Sequence, residues 1–267
     1  MFDKLAIDFG PWSPSKVTEA LECPFRFNCS KERKKIIAFA NDSAARVGTA
    51  IHQYIEALLE DTTRAKDEGL YYALFSDNEL TYNEQIAFKT IKKAAEKSVK
   101  RILTFKKAHE CKNSAFFIEA ALSVDKDLKP TEFFSDNVFF RGKIDVAMYL
   151  PSNTLVVIDH KSGNIIDIKD NYKFQLLSYL VLFWFGFLGA PGDFPGAMYY
   201  LNVLGSEHPD IIKGPEISSD EFNEKVLREV VDTINRAAKS AETNKAIPGS
   251  HCKFCNYVNL CPAGVKI

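Results

Sequence analysis

A run of Val156-Val157-Ile158-Asp159-His160-Lys161, preceded by Gly142-Lys143-Ile144-Asp145, constrains this chain more than any other feature. Both runs are strand-like, and Pro151-Ser152-Asn153 between them supplies turn chemistry, so together they read as a β-hairpin. Side chains alternate along a strand, so Asp159 and Lys161 share one face while Val156, Ile158 and His160 take the other. The same rule puts Arg141, Lys143 and Asp145 together on the first strand. A hairpin centred on Ser152 sets Asp145 directly opposite Asp159. Like charges at cross-strand distance repel unless something neutralises them. A divalent cation held by hard oxygen ligands does so. Asp159 also closes an apolar strand, where an unpaired carboxylate is costly. The pattern therefore predicts two carboxylates and a lysine gathered on one face around a metal.

With 267 residues, 46% of them hydrophobic and 26% charged, the chain can bury one sizeable core and carry a small appended module. The net charge of −1 gives no global attraction to nucleic acid. Local patches must supply any such affinity. Between Lys89 and Lys112 there are nine lysines and arginines against two glutamates, and Lys31, Arg33, Lys34 and Lys35 form a second basic group. Each is either a solvated face or a surface that contacts phosphates without reading sequence. Met1 to Ser15 lacks the apolar core and cleavage site of a secretory signal. Leu176 to Ala190 is 15 residues long. A membrane span needs roughly 20 apolar residues, so this segment is expected to be a buried helix. The expected location is the cytoplasm, with no membrane partner.

Ser13-Pro14 reads as a helix start, with the helix ending near Glu22, just before Cys23-Pro24. Apolar periodicity predicts helices over Ser43 to about Glu60 and Asn83 to about Cys111. Strands are expected over Ala115 to Val124, Val138 to Tyr149, Leu155 to Lys161 and Ala197 to Leu204. A nearly all-apolar helix is expected over Tyr172 to Leu188. Ser218 with Glu221 forms a capping box for a helix running to about Glu242. From Pro248 the chain becomes short, loop-like and cysteine-rich. The expected fold class is α/β, with one core over residues 1–247 and a cysteine tail over 248–267 packed on it.

Gly48-Thr49-Ala50-Ile51-His52, Gly142-Lys143-Ile144-Asp145, Ile158-Asp159-His160-Lys161-Ser162-Gly163 and Gln175-x3-Tyr179 occur in that order at compatible spacing. Together they resemble the RecB-like branch of the PD-(D/E)XK nucleases, from about Ser13 to Cys261. The position between the aspartate and lysine is usually hydrophobic or aromatic, and here it is His160. The resemblance implies a restriction-endonuclease-like core with a central mixed sheet. It implies that Asp145 and Asp159 hold Mg²⁺ or Mn²⁺, with His52 and the His160 carbonyl completing the sphere. A histidine ligand tilts the preference towards Mn²⁺. Lys161 would orient or help deprotonate the attacking water. Gln175 and Tyr179, four apart and so on one helical face, would position substrate or a catalytic group. Glu119 is a possible additional acidic contributor.

Cys252-x2-Cys255-x5-Cys261 offers three thiolates, short of a tetrahedral site. The open readings are structural zinc, with His251 as an alternative ligand, or unliganded thiols. Cys23 matches the distal cysteine of iron–sulfur RecB-like nucleases, which include AddB-type subunits and CRISPR-associated or phage exonucleases. That resemblance implies a [4Fe–4S] cluster joining the two ends of the chain. Cys29 and Cys111 read as ordinary buried thiols.

The expected function is a metal-dependent DNA exonuclease acting on single strands or duplex ends, in recombination, repair, phage DNA processing or CRISPR adaptation. A structure-selective endonuclease and a non-catalytic DNA-binding or assembly subunit are the competing expectations. No P-loop signature is present, so a helicase, recombination or integration partner would supply any motor. A homo-oligomer is also compatible.

Overall fold

The structure, a computed structural model, describes residues 1–31, 43–163, 165, 167–190, 192–205 and 210–263. Arg33, Lys34 and Lys35 of the second basic group lie outside the described residues. In chain order the helices are α1 (Lys4–Phe9), α2 (Pro14–Glu22), α3 (Pro24–Lys31), α4 (Ser43–Glu60), α5 (Glu68–Asp77), α6 (Tyr82–Ala108), α7 (Asp170–Val181), α8 (Ser219–Glu221) and α9 (Arg228–Glu242). The strands are β1 (Phe116–Val124), β2 (Phe140–Leu150), β3 (Thr154–Lys161), β4 (Gly196–Val203) and β5 (Asp210–Lys213).

They form one mixed five-stranded sheet in sequence order. Only β3 and β4 run parallel, and the connection between them carries α7, as a parallel crossover requires. Alternation along the central strands then fills two cores. Val146, Met148, Val156 and Ile158 pack with Ile51, Tyr54 and Phe88 of α4 and α6. Ala147, Leu155 and Val157 pack with Leu177 and Leu180 of α7 and with Ile234 of α9. The result is a sheet covered by helices on both faces, the α/β architecture expected from the sequence. No helix among the described residues is long and apolar enough to cross a membrane.

The β2–β3 register pairs Val146 with Ile158 and Leu150 with Thr154, so the hairpin is centred on Ser152 as expected. Ser13 Oγ accepts from the Lys16 N–H at 3.3 Å and starts α2, again as expected. Helix α2 ends at Glu22, just before Cys23-Pro24, also as expected, and a further helix follows directly. Cys23 leaves helical geometry for one residue at φ −154°, and Pro24 opens α3 at once, where its missing N–H is not needed. The single helix expected over Tyr172 to Leu188 is α7 followed by a widened π turn at Leu182–Phe187. Phe183 and Trp184 within that turn are both buried. Helices α1 and α5 carry no strong periodicity and were not expected.

The two ends of the chain meet. Phe25 N donates to Lys245 O at 3.2 Å, and the Asn28 side chain donates to Ala241 O at 2.8 Å. Helix α3 is therefore fixed to the end of α9, with the cysteine tail beside it.

Candidate active site

The β2–β3 ladder stops at Val146 and Ile158, one step short of Asp145 and Asp159. Asp145 supplies the substitute, because its Oδ2 accepts the backbone N–H of His160 at 2.6 Å. On the other side of β2, Ile118 pairs with Val146 and Ala120 with Ile144, but Glu119 between them drops out at φ +52°. A non-glycine residue in that left-handed region costs on the order of 1–3 kcal/mol and clusters at functional sites. Alternation slips on both strands at this point. Ile118 and Val146 pack with the α4 core, whereas Ala120 and Ile144 pack with the α7 core.

The slip corrects the one-face expectation for the two carboxylates. Asp145 turns towards α4, where His52 Nδ1 lies 3.4 Å from its Oδ1. Asp159 and Lys161 keep the opposite orientation and meet α7. The carboxylates thus enter one gap, where β2 and β3 part, from the two faces of the sheet.

On the α7 side a single glutamine organises the group. Gln175 Nε2 donates to Asp159 Oδ1 at 3.0 Å and lies 2.7 Å from Tyr179 Oη. Its Oε1 accepts from Lys161 Nζ at 3.1 Å. The four-residue spacing of Gln175 and Tyr179 is thus a direct contact on one helical face. Gly142 makes room for it, since a Cβ there would lie 2.9 Å from Leu182 Cδ1 and 3.1 Å from Tyr179 Cε1.

Electrostatics separates the two aspartates. Burial, then the charge of Asp145, pushes the Asp159 carboxyl up to about 6, with Lys161 opposing. Burial also pushes Asp145 upward, but the hydrogen bond from His52, the charges of His160 and His52 and the His160 N–H outweigh it and hold it low. His52 itself is desolvated, yet Asp145 and the neighbouring carboxylates raise its imidazole above the ordinary range. Burial pushes the His160 ring down to about 4.

The donor set fits a divalent cation. One ligand atom each from His52, Glu119 and Asp145 lies within 4.8 Å of the others. Asp159 Oδ2 is buried, with Lys161 Nζ at 2.8 Å as an ion-pair partner but no well-formed hydrogen bond. Hard oxygens plus one imidazole suit Mg²⁺ or Mn²⁺. Glu119 belongs to this group more firmly than its sequence position suggested, and Lys143 Nζ anchors it at 2.5 Å. Burial raises the Glu119 carboxyl, and Lys143 opposes that shift.

Asn202 is the residue that sequence reasoning missed. It faces His160 across β3 and β4, and its Nδ2 lies 2.7 Å from His160 Nδ1. The signal was a polar residue inside the apolar run Tyr199-Tyr200-Leu201-Asn202-Val203. The pair fixes the His160 ring edge-on to His52, with centroids 5.8 Å apart.

At the chain ends, Cys23, Cys252, Cys255 and Cys261 line one small cavity with Phe25, Ile247 and Val258. Gly249 N donates to Cys252 Sγ at 3.4 Å. Burial raises the Cys255 thiol above its ordinary range. His251 shares the cavity wall and places Nε2 3.0 Å from Ile247 O. Cys29 and Cys111 are buried, as expected, Cys29 in the small cluster with Cys255 and Cys111 in the core under α4 and α6.

No curated protein sequence matches the chain. Among solved structures, the crystal structure of SSO0001 aligns with a TM-score of 0.40 at 14% identity, covering 94% of this chain and 86% of that chain. The family model of the PD-(D/E)XK nuclease superfamily matches residues 11–262, a span that holds every site residue named above. The chain belongs to the PD-(D/E)XK nuclease superfamily.

Proposed function

We propose that this protein is a Mg²⁺- or Mn²⁺-dependent DNA exonuclease of the RecB-like iron–sulfur branch. The observation that carries the reading is the half-buried Asp159–Lys161–Gln175–Tyr179 network facing the His52–Glu119–Asp145 group across the gap between β2 and β3. His52, Asp145, Asp159 and the His160 carbonyl would hold the cation, with Glu119 as a further acidic ligand. A divalent ion bound there supplies a Lewis acid for the phosphoryl oxygens and a more acidic attacking water. Lys161, held by Asp159 and Gln175, orients that water and steadies the negative charge that develops on phosphate. Gln175 fixes the direction of the ammonium, and Tyr179 fixes Gln175. His160 contributes its carbonyl to the site, while its ring braces His52.

For the cysteine corner, Cys23, Cys252, Cys255 and Cys261 around one cavity would ligate a [4Fe–4S] cluster, the ligand set that the RecB-like resemblance implies.

The test is cleavage of end-labelled single-stranded DNA with Mg²⁺ or Mn²⁺, beside a circular single strand of the same sequence. Wild type is expected to shorten the linear strand stepwise and spare the circle, and Asp159→Ala and Lys161→Ala to do neither. Cleavage of the circle would replace the exonuclease reading with an endonuclease. Equal activity in all three proteins would sink the site assignment. Anaerobically purified protein is expected to absorb near 400 nm, and a colourless protein with stoichiometric zinc would refute the cluster.

A further inference from the structure

A second charged cavity lies on the same strand as Asp145. It has a volume of 370 Å³ and is walled by Lys16, Lys31 and Arg141, from α2, α3 and β2. Three cations on one concave wall repel one another, and among the described residues Glu19 is the one carboxylate that lines it. That carboxylate is engaged by Arg26 at 2.9 Å. Asp8 acts on Lys31 from outside the cavity wall. Burial, then the charges of Arg141 and Lys31, depress the Lys16 ammonium, with Glu19 opposing.

Each cation is held in place with donors to spare. Lys16 Nζ uses one N–H on Pro11 O at 3.0 Å. Arg141 uses Nη1 on Phe133 O at 2.9 Å, leaving the rest of its fork free for an oxyanion. Lys31 Nζ sits 4.5 Å over the Phe9 ring. Beside Arg141 stands an independent feature. Phe134 is 84% exposed, and the Arg141 guanidinium lies 5.5 Å from its ring centre. An exposed aromatic face next to a basic cavity is the arrangement that holds an unpaired base beside its phosphate. Arg141 and Asp145 are four residues apart on β2, a separation of about 13 Å along the strand. The cavity is therefore a short reach of nucleic acid away from the metal group.

We propose that the Lys16–Lys31–Arg141 cavity is a phosphate subsite gripping the backbone of a single nucleic-acid strand, with Phe134 as the stacking platform for an adjacent base. The identity of the anion rests on the nuclease reading, while the subsite itself is read by binding alone. The probe is dT20 labelled at its 3′ end, with and without a 5′-phosphate, in anisotropy titrations with magnesium and manganese omitted. Failure of the nuclease reading shows only in the cleavage assay, so the two are separable.

Lys16→Gln combined with Arg141→Gln is expected to raise Kd about tenfold at about 0.1 M salt and to flatten the log Kd–log salt slope by about 1–2. Phe134→Ala is expected to raise Kd about fivefold and leave the slope unchanged. Lys31→Gln changes an exposed side chain and is expected to raise Kd about threefold, so the test stands even where the double variant melts early. Equal losses with both forms of dT20 support a backbone phosphate. Losses confined to the 5′-phosphorylated form overturn that assignment. Unchanged Kd and slope in Lys31→Gln and the double variant overturn the subsite.

Discussion

The two ligand-rich regions of this molecule are built on opposite terms. Between β2 and β3 the chain buries like charges, drops Glu119 from its ladder at φ +52° and leaves Asp159 with its pKa pushed up to about 6. All of that disfavours folding, and it is tolerated because two apolar cores clamp the sheet from both faces. At the chain ends the situation reverses. Cys29, Cys255 and Tyr257 form a small apolar cluster with Phe25 packed on it, so little burial holds the tail down. A site whose parts are fixed by a large core can carry strain for chemistry. A site with almost no core must draw its order from whatever its thiols bind.

The largest expected effect tests the first half of that contrast. Lys161→Met should lower the cleavage rate at least about a thousandfold, the scale on which a lost charge stabiliser acts. Its fold should survive, because the core beneath the strand is untouched, but its melting temperature should fall at neutral pH, since buried Asp159 loses its ion-pair partner. A variant that is inactive because it unfolds would break the comparison. Cys255→Ser comes next and should do the reverse. Loss of one thiolate from the proposed cluster should lower the melting temperature by about 10 °C or more and bleach absorbance near 400 nm. An unaltered melt would mean that the corner is no staple.

A third variant sharpens the idea that the active site opposes stability. The Asp159 carboxyl is raised, so the folded state holds its proton more tightly than the unfolded chain does. Below about pH 4 both states are protonated and the group costs nothing. As pH rises towards 6 the cost develops, and above that it is fully present. Asp159→Asn removes the ionisable group and keeps an acceptor for Gln175. It should be more stable than wild type by on the order of 2–3 kcal/mol at pH 7 with divalent metal removed, and indistinguishable at pH 4. Cleavage should nevertheless be lost. Equal melting curves at both pH values would show that Asp159 carries no such burden.

Much of this was legible in the sequence because it depends on local rules. Turn chemistry at Pro151-Ser152-Asn153 set the hairpin register, and four-residue spacing put Gln175 against Tyr179. The capping box at Ser218 and Glu221 formed as read. What was illegible depends on a slip of alternation. Nothing in Phe117-Ile118-Glu119-Ala120 announces a left-handed glutamate, whose neighbours Ile118 and Ala120 pack against different cores. That slip sent Asp145 to the opposite face from Asp159 and drew Glu119 into the metal group. Asn202 stayed hidden for a related reason, because its partner His160 is 42 residues away and only the parallel β3–β4 register joins them. The basic cavity was invisible too, as α2, α3 and β2 each contribute a single cation to it.

The smallest expected effect probes how finely the core tunes the site. Gly142 lies in the motif that carries Asp145, yet it touches no ligand. Its value is space, since an added methyl would press on Leu182 Cδ1 at 2.9 Å and on the Tyr179 ring at 3.1 Å. Leu182 is fully buried and has little room to move. Gly142→Ala should therefore cost about 1 kcal/mol through overpacking. Displacement of Tyr179 passes through Gln175 to Asp159 and Lys161, so cleavage should fall a few-fold and, with Asp159 a proposed ligand, the metal concentration needed for half activity should rise only slightly. Because His52, Asp145 and Glu119 lie on the far side of the sheet, a large shift in metal requirement would show that the two faces are not independent. A stability loss with full activity would show instead that Tyr179 is packing alone.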